Sequence, residues 1–347
     1  MKSRVHASAA SAAAILVALL AAALPGSASA GTLNGERPIV IAHRGASGYL
    51  PEHTMEAYKL AVQMGADFIE PDLFLTADGV LVARHDRSLN TTTNVQAVAA
   101  TNPAIAAKVM GTAYNVDQLT YAEVKSLTAR SRTSNGYQTV DTYFDPAYDY
   151  KVAGFSEVLD YVYGIYQSTG DVVGIYPEVK TIGGNPAYNL AIAQALLAAL
   201  DDAKYGDFFD GHLKNVYLQS FDQSIIQYLN ANTNLPAIFL TGCTNTPAQA
   251  QAIAQYADGI GTSAGGLSQA CVDNAHDAGL TVHAYTLTNN PSQYQTVYDL
   301  DVDGIFGNHP DVNKAVRDQI YPVPEPASLV LFGLALAGLG IARRKLV

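Results

Sequence analysis

The stretch Val40–Thr54, "VIAHRGASGYLPEHT", opens the reading of the fold. The apolar run Ile39–Ala42 ends on His43-Arg44 and only then breaks into Gly, Ser and Pro. A strand that merely filled a core would finish on a turn residue. This one carries two polar side chains to its own end, and the loop behind it leads to Thr54, a capping residue. Ala57, Leu60, Ala61 and Met64 then share one face of a helix. The unit is strand, loop, helix, with the chemistry at the strand's C-terminal end.

The same unit recurs along the chain. Short apolar runs lie at Ile39–Ala42, Phe68–Leu75, Val172–Tyr176, Val216–Leu218, Ala237–Leu240, Gly259–Gly261, Val282–Tyr285 and Gly304–Phe306. Helical patterns separate most of them, with starts marked at Asn185-Pro186 and Thr246-Pro247. Eight strands with helical crossovers predict an α/β fold of the TIM (β/α)8 barrel class. A doubly wound sheet is the structural rival, and no internal repeat is evident. Two places break the alternation. Thr76-Ala77-Asp78-Gly79 leaves no room for a crossover, so Val80–Arg84 is expected to fold back antiparallel and to return His85 to the level of Glu70 and Asp72. The stretch from about residue 90 to 153 is too long for a structureless loop. It holds a capping box at Thr120-x-x-Glu123 and a Tyr/Asp-rich segment, Tyr143–Tyr150, and is read as a small inserted subdomain over the barrel mouth.

Both ends of the 347-residue chain stand apart. A short basic start, an Ala/Leu/Val-rich run and Ala28-Ser29-Ala30 have the order of a signal peptide, residues 1–30, with Gly31 as the new N-terminus. At the other end Val323-Pro324-Glu325-Pro326 precedes an apolar run, Ala327–Ala342, and then Arg343-Arg344-Lys345. That run is at the short limit for crossing a bilayer, and the basic cluster favours a cytoplasmic C-terminus. The order resembles the PEP-CTERM sorting tail of Gram-negative bacteria, here residues 323–347. It implies transient inner-membrane anchoring, processing by an exosortase-type enzyme, and a destination in the periplasm, at the outer surface or beyond. A plain membrane anchor is the alternative. The barrel is thereby expected over 31–322. The formal net charge is −11, and residues 31–326 lose five basic residues and no acid, so the interior is more acidic still. Such a domain is poorly suited to nucleic acid. The two cysteines, Cys243 and Cys271, are in a chain bound for an oxidising compartment, where a disulfide or two buried thiols are both open.

Charged residues gather at the predicted strand ends. Glu70 and Asp72, two apart, point to one face, and Glu178 arrives from the next strand beside Lys180. Three carboxylates so placed fit an all-oxygen Ca²⁺ or Mg²⁺ site, or a polar layer salt-bridged by Arg44 and Lys180. With His43 and His85 alongside, the set provides base, acid, metal and fixed positive charge, as phosphoryl chemistry requires. His53, just before Thr54, is read as a hydrogen-bonding loop anchor. His212, His276 and His283 receive structural readings, and His283, beside Val282 on a strand, is read as packed.

"AHRGASGYLPEHT", "FIEPDLFLTADGVLVARHD", "GIYPEVK", "VYLQSFD" and "VHAYTLT", in this order, resemble the glycerophosphodiester phosphodiesterase family, especially its periplasmic bacterial type. The resemblance covers about Ile39 to Ile320. It implies a barrel with a small insertion and a divalent metal, most often Ca²⁺ in exported members. It makes His43 and His85 the acid/base pair, Glu70, Asp72 and Glu178 the metal ligands, and Arg44 and Lys180 the phosphate-binding cations. The implied reaction releases glycerol 3-phosphate and an alcohol through a cyclic phosphate. Phospholipase D-like cleavage of lipid head groups, or a non-catalytic surface matrix protein on the same barrel, are the alternatives. The polar composition of the insertion speaks against the lipid, and the intact histidines and carboxylates against the matrix protein. There is one departure: where the family shows Thr-Asp-x-Pro, this chain has Gly307-Asn308-His309-Pro310, which places a histidine near the barrel rim and puts substrate preference in question.

Overall fold

The computed structural model describes residues 31–132, 142–209 and 214–322. Tyr321 and Pro322 aside, these belong to one compact unit, Ala30–Ile320. The segment expected to be a signal peptide, the C-terminal apolar run and His212 lie outside the described residues. Among the described residues no helix is long and apolar enough to cross a membrane.

The strands are β1 (Ile39–His43), β2 (Phe68–Glu70), β3 (Asp72–Leu75), β4 (Leu81–Ala83), β5 (Gly174–Ile175), β6 (Glu178–Val179), β7 (Leu218–Ser220), β8 (Ala237–Leu240), β9 (Gly259–Ser263), β10 (Thr281–Leu287) and β11 (Gly304–Gly307). All pairings between neighbours are parallel except β3 with β4. The ring closes where β11 pairs with β1, and β5 reaches the next strand through a parallel bridge from Ile175 to Val216. The architecture is a (β/α)8 barrel. It is built from eight parallel strands, two of them broken, plus the antiparallel hairpin strand β4.

Both breaks are at prolines. The expected single strand Phe68–Leu75 divides at Pro71 into β2 and β3, and the third strand divides at Tyr176-Pro177 into β5 and β6. A proline has no N–H to give the ladder, so one bond is missing at each, while the register runs on: the Tyr176 N–H donates to Ile69 O and the Glu178 N–H to Pro71 O, both at 2.9 Å. Below the breaks Phe68 aligns with Gly174; above them Asp72 aligns with Glu178. The hairpin forms as the turn signal requires, with Leu73 opposite Ala83 and the Arg84 N–H donating to Asp72 O at 2.7 Å.

The crossover helices include α1 (Met55–Gln63), whose Thr54 cap accepts the Ala57 N–H at 3.2 Å. Between β4 and the next crossover lie α2 (Val95–Ala99), α3 (Pro103–Ala106) and α4 (Tyr121–Ser126), the last closed by a capping box between Thr120 and Glu123. The outer ring continues with α5 (Phe155–Thr169), α6 (Pro186–Leu200), α7 (Gln223–Asn232), α8 (Pro247–Ile253), α9 (Gln269–Asp277), α10 (Pro291–Tyr298) and α11 (Pro310–Ile320). Inside the barrel Ile41, Phe68, Tyr176, Ile238 and Phe306 form the apolar plug. His283 is packed into it, with Nδ1 2.6 Å from the Tyr176 hydroxyl, and burial pushes its pKa down to about 4. His276 ties α9 to Asp303 at 2.9 Å.

A short device seals the lower rim three times. Asp67, Asp258 and Asp303 each precede a strand, and each pairs with the strand before it through both backbone and carboxylate. Asp67 Oδ2 accepts the Val40 N–H at 2.7 Å, Asp258 Oδ2 that of Ala237 at 2.8 Å, and Asp303 Oδ2 that of Val282 at 2.7 Å. In each case the aspartate's own N–H returns to the same residue's carbonyl. A charge-assisted bond to an N–H at the start of a strand satisfies a donor the ladder leaves open.

Cys243 and Cys271 form a disulfide across 28 residues, joining the chain after β8 to α9. Chain entropy for such a loop is worth about 3.5 kcal/mol. Cys243→Ser should therefore lower the urea unfolding free energy by about that amount, and reductant should destabilise the wild type while leaving the variant unmoved.

The last turn of α11 is clamped to the N-terminal segment. Asp318 takes Arg37 at 2.5 Å, Arg317 at 3.1 Å, and Lys314. Burial works against the Asp318 charge, yet these cations pull its pKa down to about 2. Since the folded value is depressed, the clamp's stabilisation is complete above the ordinary carboxylate range near pH 4. It is lost as pH falls from there towards 2. The stability gap between wild type and Asp318→Asn should accordingly be larger at pH 6 than at pH 2.5, measured by denaturant unfolding.

Candidate active site

At the C-terminal end of the barrel Glu70, Asp72 and Glu178 face one another. One ligand oxygen from each lies within 4.8 Å of the others, and all three residues are buried. This is the cluster expected from their spacing, although a broken strand delivers it. The salt-bridged layer is present as well. Lys180 Nζ is 2.8 Å from Glu178 Oε1 and 3.6 Å from Asp72 Oδ1, and Arg44 Nε is 3.3 Å from Asp72 Oδ2. Two cations do not balance three desolvated carboxylates. Burial and the Asp72 charge push the Glu70 pKa well up, and burial pushes Glu178 to about 8. Asp72 is the exception: burial opposes its charge, but Lys180, His53 and Arg44 hold it well below the usual range. Its Oδ1 still has no hydrogen-bond donor among the described residues.

His43-Arg44 lies against this cluster because β1 pairs with β2, placing His43 level with Glu70. Arg44 takes a left-handed backbone, φ 61°, which aims its N–H at Glu70 Oε2 at 2.8 Å. A non-glycine residue there is strained, a cost common at functional sites. Gly45 follows at φ 82°, where a Cβ would lie 2.7 Å from the Ala57 backbone. The loop is thus pressed onto α1. At Gly48 the His309 ring occupies the space a Cβ would need, at 2.2 Å.

The departure at Gly307–Pro310 therefore reads differently in three dimensions. His309 is buried behind the loop, edge-on to Tyr49 at 4.7 Å between ring centres. Asn308 is the residue that touches the site. Its Oδ1 lies 2.7 Å from His43 Nδ1, and Ser47 Oγ donates to the same oxygen at 3.2 Å. An amide oxygen only accepts, so the neutral His43 keeps its proton on Nδ1 and presents a lone pair at Nε2. Burial and the Arg44 charge hold the His43 pKa well below its ordinary value, so the ring is neutral at pH 7.

His85 follows β4 on the returning hairpin. Its side chain is 34% exposed, which leaves it accessible, and Nδ1 pairs with Asp86 Oδ1 at 2.8 Å. His53 is the anchor its position suggested. Fully buried at φ 59°, it links Asp72 Oδ2 and the Tyr58 hydroxyl, each at 2.8 Å. Sequence reasoning missed Glu52, Gln219 and Arg132. Gln219 Nε2 donates to Glu70 Oε1 at 3.2 Å. Glu52 accepts from Arg44 at 3.2 Å and from Arg132, a residue of the segment between β4 and α5, at 2.7 and 2.9 Å. Only the adjacency of Glu52 to His53 in "PEHT" hinted at its place.

The profile of the glycerophosphoryl diester phosphodiesterase family matches residues 43–312, and that of the PEP-CTERM protein-sorting motif matches 322–345. The motif points to export and sorting in a Gram-negative bacterium and implies an exosortase partner. The glycerophosphodiester phosphodiesterase of Bacillus subtilis is 33% identical over 293 residues, which cover 82% of this chain and 88% of that protein. That of Haemophilus influenzae is 38% identical over 189 residues, 53% of this chain and 50% of its own. Among solved structures, a putative glycerophosphoryl diester phosphodiesterase from Silicibacter pomeroyi superposes with a TM-score of 0.65 at 23% identity, covering 85% of this chain and 98% of that one. A phosphodiesterase from Oleispira antarctica, solved with the product sn-glycerol-3-phosphate, gives 0.62 at 22% identity, covering 82% and 99%. With the family profile spanning the barrel from His43 to Val312, the chain belongs to the glycerophosphoryl diester phosphodiesterase family and is an enzyme with that family's activity.

Proposed function

We propose that the enzyme hydrolyses glycerophosphodiesters to glycerol 3-phosphate and an alcohol, with His43 and His85 as the proton-transfer pair. The observation that carries this reading is the buried triad Glu70, Asp72 and Glu178 with Arg44 and Lys180 on its flanks and His43 at its edge. The sn-glycerol-3-phosphate held by the Oleispira antarctica enzyme agrees with that product.

The substrate glycerol's own 2-hydroxyl attacks phosphorus while His43 Nε2 takes its proton. The bond from phosphorus to the leaving oxygen breaks, and His85 gives that oxygen a proton. Water then opens the cyclic phosphate with the roles reversed: His85 removes its proton and His43 returns one to the 2-oxygen. Arg44 and Lys180 hold the phosphate oxygens, where fixed positive charge is most effective out of water. Asn308 keeps His43 in the tautomer that can accept a proton.

The triad fits a divalent cation. It offers only carboxylate oxygens, is short of positive charge, and leaves Asp72 Oδ1 without a donor among the described residues. Glu70, Asp72 and Glu178 would hold the metal, and three carboxylates in one site favour Ca²⁺ over Mg²⁺, which is usually held by one or two. Bound there, it would lower the hydroxyl's pKa and neutralise charge on phosphorus oxygens. The domain limits, residues 31–322 for the barrel with the insertion over about 90–153 and the tail from 323, belong to the same proposal, as do the signal peptide and the transient anchoring of an exported chain.

Two measurements test the reading. Release of glycerol 3-phosphate from glycerophosphocholine should fall by about 10²–10⁴-fold in His43→Ala and in His85→Ala; near wild-type rates in either would remove that residue from the chemistry. Ca²⁺ should raise the melting temperature of the wild type more than Mg²⁺ does and leave Glu70→Ala unmoved, since a cation that binds only the folded state stabilises it. Equal shifts in wild type and variant would place the ion elsewhere.

A further inference from the structure

One arginine outside the barrel joins the two halves of the site. Arg132 follows α4 in the segment between β4 and α5, and its side chain is 17% exposed. Its guanidinium reaches two carboxylates at once. Nε and Nη2 bind the two oxygens of Glu52 at 2.9 and 2.7 Å, and Nη2 also binds Asp86 Oδ2 at 2.7 Å. Each carboxylate continues inwards. Glu52 Oε2 accepts from Arg44 Nη1 at 3.2 Å, and Asp86 Oδ1 pairs with His85 Nδ1 at 2.8 Å. Arg44 comes from the end of β1 and His85 from the hairpin.

We propose that Arg132 is a positioning residue for catalysis: through Glu52 and Asp86 it fixes Arg44 and His85 relative to each other. The inference rests on the roles given to those two residues above. The geometry is that of a planar fork spanning two acceptors, which a lysine cannot reproduce. It differs from a solvated surface pair, which holds little. Glu52 is only 3% exposed, and its desolvated charge requires partners. The backbone carrying Arg132 is itself registered. Ala129 bridges Thr93, the Ala129 N–H donates to Tyr150 O at 2.7 Å, and the Arg130 N–H to Thr92 O at 2.9 Å. A side chain on such a support transmits its position. Arg84, fully buried and bonded to Thr92, lies close enough for the Glu52 and Asp86 charges to act on it, but its Nε and Nη1 bind nothing among the described residues. Arg132 is the one of the two that bonds to both carboxylates.

The test uses the full chain and glycerophosphocholine, with Arg132→Ala and Arg132→Lys. A small misplacement of reacting groups costs about 10²-fold, so kcat should fall by about that factor in Arg132→Ala while KM changes by no more than about threefold. Arg132→Lys should melt near the wild type yet recover little of the rate. Guanidinium chloride at tens of millimolar should restore Arg132→Ala by at least about tenfold and leave Arg132→Lys unchanged, with NaCl at equal ionic strength inert. A kcat within about threefold of wild type overturns the proposal. So does a rise in KM with kcat unchanged, which would make Arg132 a substrate contact, and so does a loss that follows melting temperature and resists guanidinium. An inert wild type would instead sink the substrate reading, and the inference with it.

Discussion

The mouth of the barrel is organised around the buried carboxylate of Asp72. Arg44, His53 and Lys180 all converge on it, from the end of β1, the loop before α1, and the end of β6. Its backbone carbonyl also receives Arg84 from the hairpin. Three separate pieces of chain are thus referenced to one acid, which remains charged only because those partners surround it. Remove that convergence and Glu70, Glu178 and the cations lose their common centre. The strain at Arg44 and His53 is the local cost of the arrangement, each being bent into the left-handed region to reach it.

Much of this was written in the sequence. Apolar runs bounded by turn residues located all eight barrel strands, because a parallel strand buried on both faces leaves an uninterrupted hydrophobic signature. The hairpin, the Thr54 cap and the Thr120–Glu123 box followed from local chemistry that tertiary contacts did not override. The seven polar residues singled out at strand ends do gather at one end, since strand polarity fixes where those ends lie. What escaped was everything set by packing between distant segments. Arg132 is one charged residue among many in a long polar stretch, and no periodicity distinguishes it. Asn308 was noticed, but its neighbour His309 drew attention because a new histidine suggests chemistry; only the loop's approach to Gly48 shows that ring to be filler. Pro71 and Pro177 were visible, yet a rule that counts side-chain alternation along an intact strand has no place for a break.

Covalent and electrostatic ties are distributed unevenly around the molecule. The site end relies on ion pairs and shared carboxylates. The lower rim relies on the aspartates before β2, β9 and β11, each grasping an amide at the start of a neighbouring strand. The Cys243–Cys271 link lies on the β8–α9 flank, away from strands β2, β3 and β6, which carry the buried carboxylates. The PEP-CTERM motif points to an exported protein, and a disulfide is at home in such a compartment. A strongly acidic exterior favours solubility there over adhesion to anionic surfaces.

The prolines in the second and third strands have a consequence for how the enzyme can diverge. Each withholds an N–H from the sheet, yet the register runs through both: Phe68 is level with Gly174 and Asp72 with Glu178 at the same offset, and the Tyr176 and Glu178 N–H groups donate to Ile69 O and Pro71 O, both at 2.9 Å. A displacement at the base of these strands is therefore carried to the carboxylates at their tips. The Phe68 ring already fills the place a Gly174 side chain would need, so bulk cannot be added there without moving a strand. The foundation of this barrel and its working surface are geared together, and mutations in one must be matched in the other.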